Sequence, residues 1–533
     1  MISAAEFSPD FSSPSAPILD PSVSAGGNEL RNTVTVAAIT LLVLLIGFWP
    51  AFDQAGGPMD EGMILVYPEL IAHGKVPYRD FETFYGPGNP ALLAGTFAVF
   101  GTNIFVERSV GMLYRVAILL AIFAVVRPKG KTLAVGCMFL SGCLILGTGL
   151  PAYAWLGAMA CALWSLWLGS RSASNLRCFL AGLFAGLALV FRVDVGPAVI
   201  LSALPLFHGM TWSRRRLYFL GGAIGLLPLG ILLLVVGWQP IISNLFLMPV
   251  IACNPGRRVP LFAAQPDVLY LFFAHLLAVV INLAAGCIAI RTSGRRVGNG
   301  LLLAVALFGI GLTPQASQRL DSLHLLFAAF LSLAILPLSL VILYSHLRDR
   351  PVAKTEMWLV MVLVVAVLQA IAPELTIMVR SAFAAGFQPN SRATFTELDG
   401  RSFPFQSPGM AATVDQMLKK LDSLSTPGER LFVGPGDLRR TNYNDTYLYH
   451  LLPKLTPASY FLEMNPFSAN RPGSRLAADI ATADWLVLDR AWDSWSEPNH
   501  SMDYGSNAPN LVVQKQFTLC GRFGSYLLFH RKG

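Results

Sequence analysis

The chain has 533 residues, of which 54% are hydrophobic and only 13% charged, with a net charge of +8. A soluble globular protein carries roughly 25% charged residues, so there is too little polar surface here for a water-soluble body. The basic excess lies mainly in short loops between apolar runs, which gives no case for nucleic acid, and the seven cysteines show no CxxC or Cys/His metal spacing.

Residues 1–31, rich in Ser, Pro, Ala and Gly, read as a disordered cytoplasmic tail. No basic segment leads into an apolar stretch and a cleavage site, so the run starting near Thr33 is an anchor and not a removable signal. Charge-poor runs then cover Thr33–Phe52, Val116–Val126, Thr132–Leu150, Pro151–Ser170, Cys178–Phe191 and Val195–Met210. They continue with Leu217–Trp238, Val268–Ile290, Val297–Gln318, Leu325–Ser345 and Met357–Pro373. A crossing helix needs about 20 residues, which most of these runs reach with their flanks. The expectation is an all-α polytopic domain over residues 32–376 with about eleven transmembrane helices.

Lys and Arg mark the cytoplasmic side. With the N-terminus inside, the inner loops Arg127–Lys131, Arg171–Arg177, Arg214–Arg216, Arg291–Arg296 and His346–Lys354 hold fourteen basic residues. The short outer loops after the first hold only Arg192, Arg257, Arg258 and Arg319. This alternation requires that Pro90–Gly101, about twelve residues, not cross; it reads as a re-entrant or interfacial helix inside a first outer loop over 53–106.

From residue 377 to 533 the composition turns soluble, and an extracytoplasmic α/β domain is expected. "AATVDQMLKKLDSL" (Ala411–Leu424) has helical spacing of Val414, Met417, Leu418 and Leu421. "RLFVG", "SYFLE" and "WLVLD" suit buried strands, and "LVVQKQFTL" with "GSYLLFH" reads as a terminal hairpin. Cys520 is the lone cysteine of this part, so no disulfide can form within it.

Ionisable groups in or at the edge of a membrane are costly and are candidate functional residues. Four places qualify: Asp60 with Glu61; Arg192 with Asp194 in "FRVDVGP"; Asn254, Arg257 and Arg258 in "CNPGRRVP"; and Arg319, Asp321 and His324 in "QRLDSLH". On this topology all four lie outside. Each also has a structural explanation: a solvated helix end, local ion pairs, contacts to lipid headgroups. Arg115, inside its helix, reads as a snorkelling side chain, and Trp155, Trp164 and Trp167 as packing residues.

The first outer loop has a further pattern. Asp60-Glu61 is followed by Gly74 with Pro77-Tyr78, by Gly86-Pro87-Gly88-Asn89-Pro90, by Phe100-Gly101 with Asn103, and by Arg108. This stretch of about fifty residues resembles the first extracytoplasmic loop of GT-C fold glycosyltransferases, the group of the protein O-mannosyltransferases and the lipid A aminoarabinose transferases. Where the lipid A branch has a Lys-Pro-Pro turn this chain has Tyr85-Gly86-Pro87, so the likeness is to the group and not to that branch's substrate.

The resemblance implies inverting transfer of a sugar from a polyprenyl-phosphate donor to an acceptor hydroxyl of a lipid, glycan or protein, at the outer face of a bacterial inner membrane. Under it Asp60 is the general base and Glu61 orients the acceptor or a metal. Tyr85, Arg108, Arg192, Asp194, Arg257, Arg258, Arg319, Asp321 and His324 become substrate-binding residues, with Arg319 the first choice for the donor phosphate. The chemistry suits these residue types: a hydroxyl needs a carboxylate base, and a leaving phosphate needs guanidinium donors. No cofactor is required; a divalent metal on Asp60, Glu61, Asp194 and Asp321 is conceivable. Two alternatives stay open, a transporter or lipid flippase and an oligosaccharide ligase or polymerase, although no repeated pair of interrupted helices supports transport.

Overall fold

A computed structural model of the chain describes residues 27–171, 174–293, 300–371 and 392–533. Its first half contains α1 (Gly27–Phe48), α2 (Asp60–Ala72), α3 (Gly88–Phe100), α4 (Ile104–Val126), α5 (Lys131–Leu146), α6 (Ala154–Ser170), α7 (Asn175–Phe191) and α8 (Gly196–His208). Then come α9 (Trp212–Gly225), α10 (Leu227–Val236), α11 (Trp238–Ile242), α12 (Asn254–Arg257), α13 (Pro266–Ser293), α14 (Leu301–Gln318), α15 (Ser322–Arg348) and α16 (Lys354–Ile371). Within the described residues each of the eleven apolar runs holds a helix, with α9 and α10 sharing one run. By length and composition six helices can cross a membrane alone, or seven if α9–α10, bent by 47°, is a single span. The expected tail falls mostly outside the described residues, as does the expected boundary at 376; Gly27–Arg31 already belong to α1.

Helices α5 to α8 are shorter, at 16, 17, 17 and 13 residues. The α5–α6 connection shows why. Arg115 on α4 is fully buried and donates to the carbonyls of Gly111 (2.8 Å), Leu150 (3.2 Å) and Pro151 (3.2 Å), and to Thr148 Oγ1 (2.9 Å). Non-helical backbone at membrane depth persists only where the protein satisfies it, and this guanidinium does so. Arg115 therefore does not snorkel; it fixes the segment that leads into Tyr153 and Trp155. Nearby, α7 and α9 pack backbone to backbone, since a Cβ at Gly182 would lie 1.8 Å from the Tyr218 carbonyl oxygen. Small residues make such approaches possible where no hydrophobic effect drives helices together. Helix α3, 13 residues long, is about 20 Å, short of a hydrocarbon layer of about 30 Å and in keeping with an interfacial or re-entrant helix.

Beyond residue 391 lies an α/β domain. A hairpin, β1 (Thr394–Leu398) with β2 (Arg401–Phe405), stands apart from a five-stranded sheet. That sheet contains β3 (Arg430–Pro435), β4 (Thr456–Pro457), β5 (Trp485–Asp489), β6 (Phe517–Phe523) and β7 (Tyr526–Arg531), in the order β4-β3-β5-β7-β6. β3 runs parallel to β4 and β5, while β7 is antiparallel to β5 and β6. The helix Pro408–Leu424 buries Val414, Met417, Leu418 and Leu421 as its spacing requires.

One expected strand is absent and another is shortened at its start. Ser459–Glu463 is a loop because its hydrogen bonds go to the α2–α3 connection: Glu82 N–H donates to the Tyr460 carbonyl (2.8 Å), and the Tyr460 hydroxyl to that of Tyr78 (3.0 Å). Leu511–Gln516 is helical, within Ala508–Gln516, and the terminal hairpin starts only at Phe517. Val513 and Phe517, one turn apart, are both buried there.

The domain grips the start of α2. Tyr447 N–H donates to the Pro58 carbonyl (3.2 Å), Thr446 Oγ1 to that of Met59 (2.6 Å), and Arg401 pairs with Glu69 (2.6 Å). Gly62 permits this contact, because a Cβ there would sit 2.4 Å from the Tyr447 nitrogen. The helix that begins with Asp60 is thus held between the bundle and the domain.

Candidate active site

Asp60 and Glu61 open α2, where the helix dipole favours anions. Successive residues on a helix point about 100° apart, and the two carboxylates meet different surroundings. Glu61 is fully buried and forms a bidentate pair with Arg108, Nε to Oε1 at 2.7 Å and Nη2 to Oε2 at 2.9 Å. Arg108 Nη1 also donates to the carbonyls of Phe52 (2.6 Å) and Gln54 (2.9 Å). Beside them Glu107 accepts the Ala152 N–H. These three residues form a closed wall behind the site, tying α2, α4 and the α5–α6 loop together.

Asp60 looks the other way, into a cavity whose lining includes Tyr85, Tyr153, Trp155, Arg192 and His324. Its carboxylate has no hydrogen bond or ion pair among the described residues. Burial raises its pKa from the ordinary 3.8, opposed by the charges of His324 and Arg319 and assisted by Asp321. A base with a raised pKa takes a proton more readily, provided it is ionised when substrate arrives.

The surrounding charges arrive in ordered sets. Asp321 caps α15 by accepting the His324 N–H (2.9 Å), and it also receives His324 Nδ1 (2.8 Å) and Arg319 Nε (2.7 Å). Arg319 Nη2 pairs with Glu497 of the C-terminal domain. Arg192 pairs with Asp194, Nε to Oδ1 at 2.9 Å, and its guanidinium lies 5.1 Å from the centre of the Tyr85 ring. Arg257, at the end of α12, lies 5.1 Å over the Phe84 ring, and its Nη1 is buried without a hydrogen-bond partner among the described residues. Arg258 is exposed and does not line the cavity.

The outer-loop candidates therefore do converge: Asp60, Tyr85, Arg192 and His324 line one cavity, with Asp194, Asp321 and Arg319 immediately behind. Glu61 and Arg108 sit in the back wall instead. Arg319, the first choice for a phosphate, already spends its donors on two carboxylates, whereas Arg257 has one to spare. Of the four carboxylates considered as metal ligands, Glu61, Asp194 and Asp321 are each held in an ion pair. Among the described residues no three His, Cys, Asp or Glu side chains gather as a metal site. As held here these carboxylates form no ready-made site for a divalent ion, and the reaction is derived without one.

Several residues escaped sequence reasoning. Glu82 and Glu463 are both buried and are bridged by Asn465, whose Nδ2 reaches Glu463 Oε2 at 3.0 Å and Glu82 Oε2 at 3.4 Å. Ser468 donates to Glu82, and Tyr67 donates to Glu463 at 2.7 Å. Burial first, then the neighbouring Glu463, pushes the Glu82 pKa up to about 7, despite the Ser468 hydrogen bond. Tyr443 lies tilted against Trp492, with ring centroids 4.2 Å apart, and its hydroxyl lies beside the backbone of Met59, next to Asp60. Glu82 lies inside the loop motif and was within reach of sequence reasoning. Tyr443, Glu463 and Glu497 carried no signal, being hundreds of positions from Asp60 in the chain.

A polytopic helical bundle, an acid-led loop between its first long helices and a C-terminal α/β domain define an integral membrane protein of the GT-C fold. No family model and no curated protein sequence matches the chain. The structure of ArnT from Cupriavidus metallidurans bound to undecaprenyl phosphate matches with a TM-score of 0.52 at 13% identity, covering 95% of this chain and 98% of that one. An Archaeoglobus fulgidus oligosaccharyltransferase in complex with Zn and sulfate matches with a TM-score of 0.46 at 12% identity, over 92% of this chain and 72% of that one. The mycobacterial arabinofuranosyltransferase AftD matches at 0.39 and 15%, over 94% and 41%. Scores below 0.5 add nothing to the assignment; the first match supports the fold.

Proposed function

We propose that this protein transfers one sugar from a polyprenyl-phosphate donor to an acceptor hydroxyl, with inversion, at the extracytoplasmic face of a bacterial inner membrane. The observation that carries the reading is the Asp60 carboxylate, unpaired and turned into a cavity edged by Arg192 and His324. Asp60 Oδ takes the acceptor proton as the acceptor oxygen bonds to the anomeric carbon. The bond from that carbon to the donor phosphate oxygen breaks, and its electron pair leaves with the phosphate. Arg257, with a free buried donor, and Arg192 meet that growing charge; a guanidinium does so with a planar fork that an ammonium lacks. Arg319, Asp321, His324 and Asp194 are positioning residues that set the field around Asp60. Glu61 and Arg108 hold the end of α2 in place. The undecaprenyl phosphate bound by the ArnT neighbour is in keeping with such a donor.

The test is turnover of purified protein in detergent with a polyprenyl-phosphate sugar. Transfer that collapses in Asp60→Asn supports the reading. A protein that moves the lipid between leaflets of a vesicle but transfers no sugar is a flippase instead. Orientation is read separately from a tag fused at Gly533, which is expected outside; a cytoplasmic tag overturns the placement of the site.

A further inference from the structure

A second cavity, of about 240 Å³, lies between the α2–α3 loop and the C-terminal sheet. The loop contributes Lys75, Arg79 and Asp80, and the domain contributes Arg430, Arg475 and the ring of Tyr460. The catalytic cavity uses none of them. Arg79 holds Asp80 through Nε (3.1 Å) and Nη2 (2.8 Å). Arg475 reaches Asp479, outside the lining, at 2.9 Å and lies 5.2 Å over the Tyr460 ring. Two cations are left. Lys75 has no ion pair or side-chain hydrogen bond among the described residues. Among the described residues the Arg430 side chain donates only to the Ala458 carbonyl (3.1 Å), and the nearby Asp484 accepts the Arg430 backbone N–H instead. Two protein segments that meet only in the fold thus bring two cations without a carboxylate partner, Lys75 and Arg430, beside two paired arginines on one concave surface. Such a concentration of one sign focuses the field on a visiting opposite charge.

We infer that this cavity binds a phosphate or carboxylate group carried by the sugar-accepting molecule, which is therefore an anionic glycan or glycolipid. The anion chemistry stands on the cavity itself; the acceptor as its bearer rests on the transfer reading above. Guanidinium and ammonium donors around a small opening suit one oxyanion. The volume, below the ~300 Å³ of the smallest drug-sized pockets, accepts one charged group and not a whole ligand. α2 gives the spacing. Its 13 residues separate Asp60 from the Lys75 turn by about 20 Å, so the acceptor would place its charge several sugar residues from the hydroxyl that reacts. The loop also joins the two sites mechanically, because Tyr460 of this cavity donates to Tyr78 (3.0 Å) and accepts from Glu82 (2.8 Å).

The test has two arms, both on the full-length protein in detergent. In the first, inorganic phosphate is titrated calorimetrically at low salt. Wild type and Asp60→Asn should bind alike, and Lys75→Glu and Arg430→Gln should each weaken binding about tenfold or more, as expected for a lost charge-assisted contact. Lys75 is exposed, so its substitution leaves folding intact. Wild type that binds no phosphate, or variants that bind as wild type does, would remove the anion site. In the second arm, Lys75→Glu should raise KM for an oligosaccharide acceptor bearing a phosphate or uronate, with kcat and the neutral acceptor unchanged. Lost phosphate binding with unchanged KM for both acceptors would mean that free phosphate is the ligand, and would overturn the acceptor assignment. Wild type with no transfer activity at all would overturn the transfer reading while leaving the phosphate result decisive for the site.

Discussion

Asp60 and Glu61 are neighbours in sequence and opposites in surroundings. Behind α2, the wall of Glu61, Glu107, Arg108 and Arg115 is buried, and its two arginines donate to a carboxylate, a hydroxyl and backbone carbonyls. In front of it, Asp60 stands unpaired and Arg257 keeps a buried nitrogen without a partner. The wall also keeps two open atoms, Glu107 Oε2 and Arg115 Nε, but its charged groups hold one another and the backbone and so specify structure. The Asp60 carboxylate, in contrast, holds nothing and faces the cavity. The wall therefore reads as architecture and the cavity as chemistry.

Breaking the wall should have the largest effect. Arg108→Ala strands the Glu61 carboxylate in a buried site, and loss of one partner of such a pair costs about 3–5 kcal/mol. A large fall in thermal stability in detergent, with activity lost only in proportion to folded protein, is expected. A variant as stable as wild type would remove the distinction between wall and cavity.

Asp60→Asn tests the other side. Turnover should fall at least ~100-fold, the lower end of general-base contributions, with melting temperature hardly changed. In wild type the acid limb of kcat/KM should have its midpoint above 3.8, because burial raises the pKa of Asp60. A variant that turns over normally would hand the role to Asp194 or Asp321.

The buried Glu82 sharpens the boundary between the two regions. Its folded pKa of about 7 exceeds the ordinary 4.5. The folded state thus binds this proton more tightly than the unfolded state does. Stability from this group is whole below pH 4.5 and is lost as pH rises through about 7. Glu82→Gln should accordingly gain about 3 kcal/mol over wild type at pH 8 and little at pH 4.5. An advantage that does not depend on pH would mean that Glu82 is ionised throughout.

The smallest expected effect separates two arginines. Arg257→Ala should weaken donor-lipid use about tenfold, the loss of a charge-assisted contact of about 1.4 kcal/mol, and Arg257→Lys should restore it only in part. Arg319→Ala should disturb acceptor and donor together, since it frees Asp321 and Glu497 near Asp60. Donor kinetics unchanged in Arg257→Ala would leave the phosphate unassigned.

The helices were legible because membrane insertion demands long apolar runs, and each run became a helix whatever its neighbours did. The loop motif was legible because its glycines, prolines and acids lie in one stretch. Arg192-Asp194 and Arg319-Asp321-His324 could be read as local groups, since residues two to three apart at a helix end reach one another. The strand expected at Ser459–Glu463 failed because a five-residue apolar run does not say whether its backbone will find a ladder or, as here, another loop.

What the sequence by itself determined is the kind of molecule: a polytopic bundle, an acid-led loop and a C-terminal α/β domain, all set by local composition and period. Only the tertiary structure decided which of two adjacent carboxylates is free, because that depends on Arg108, 47 positions from Glu61, arriving on one side of the helix and not the other. It alone brought Glu463 to within hydrogen-bond reach of Tyr67, 396 residues away, and Glu497 to Arg319. Pairings of that span leave no periodic trace in a single chain; they exist only once the domain has closed over the start of α2.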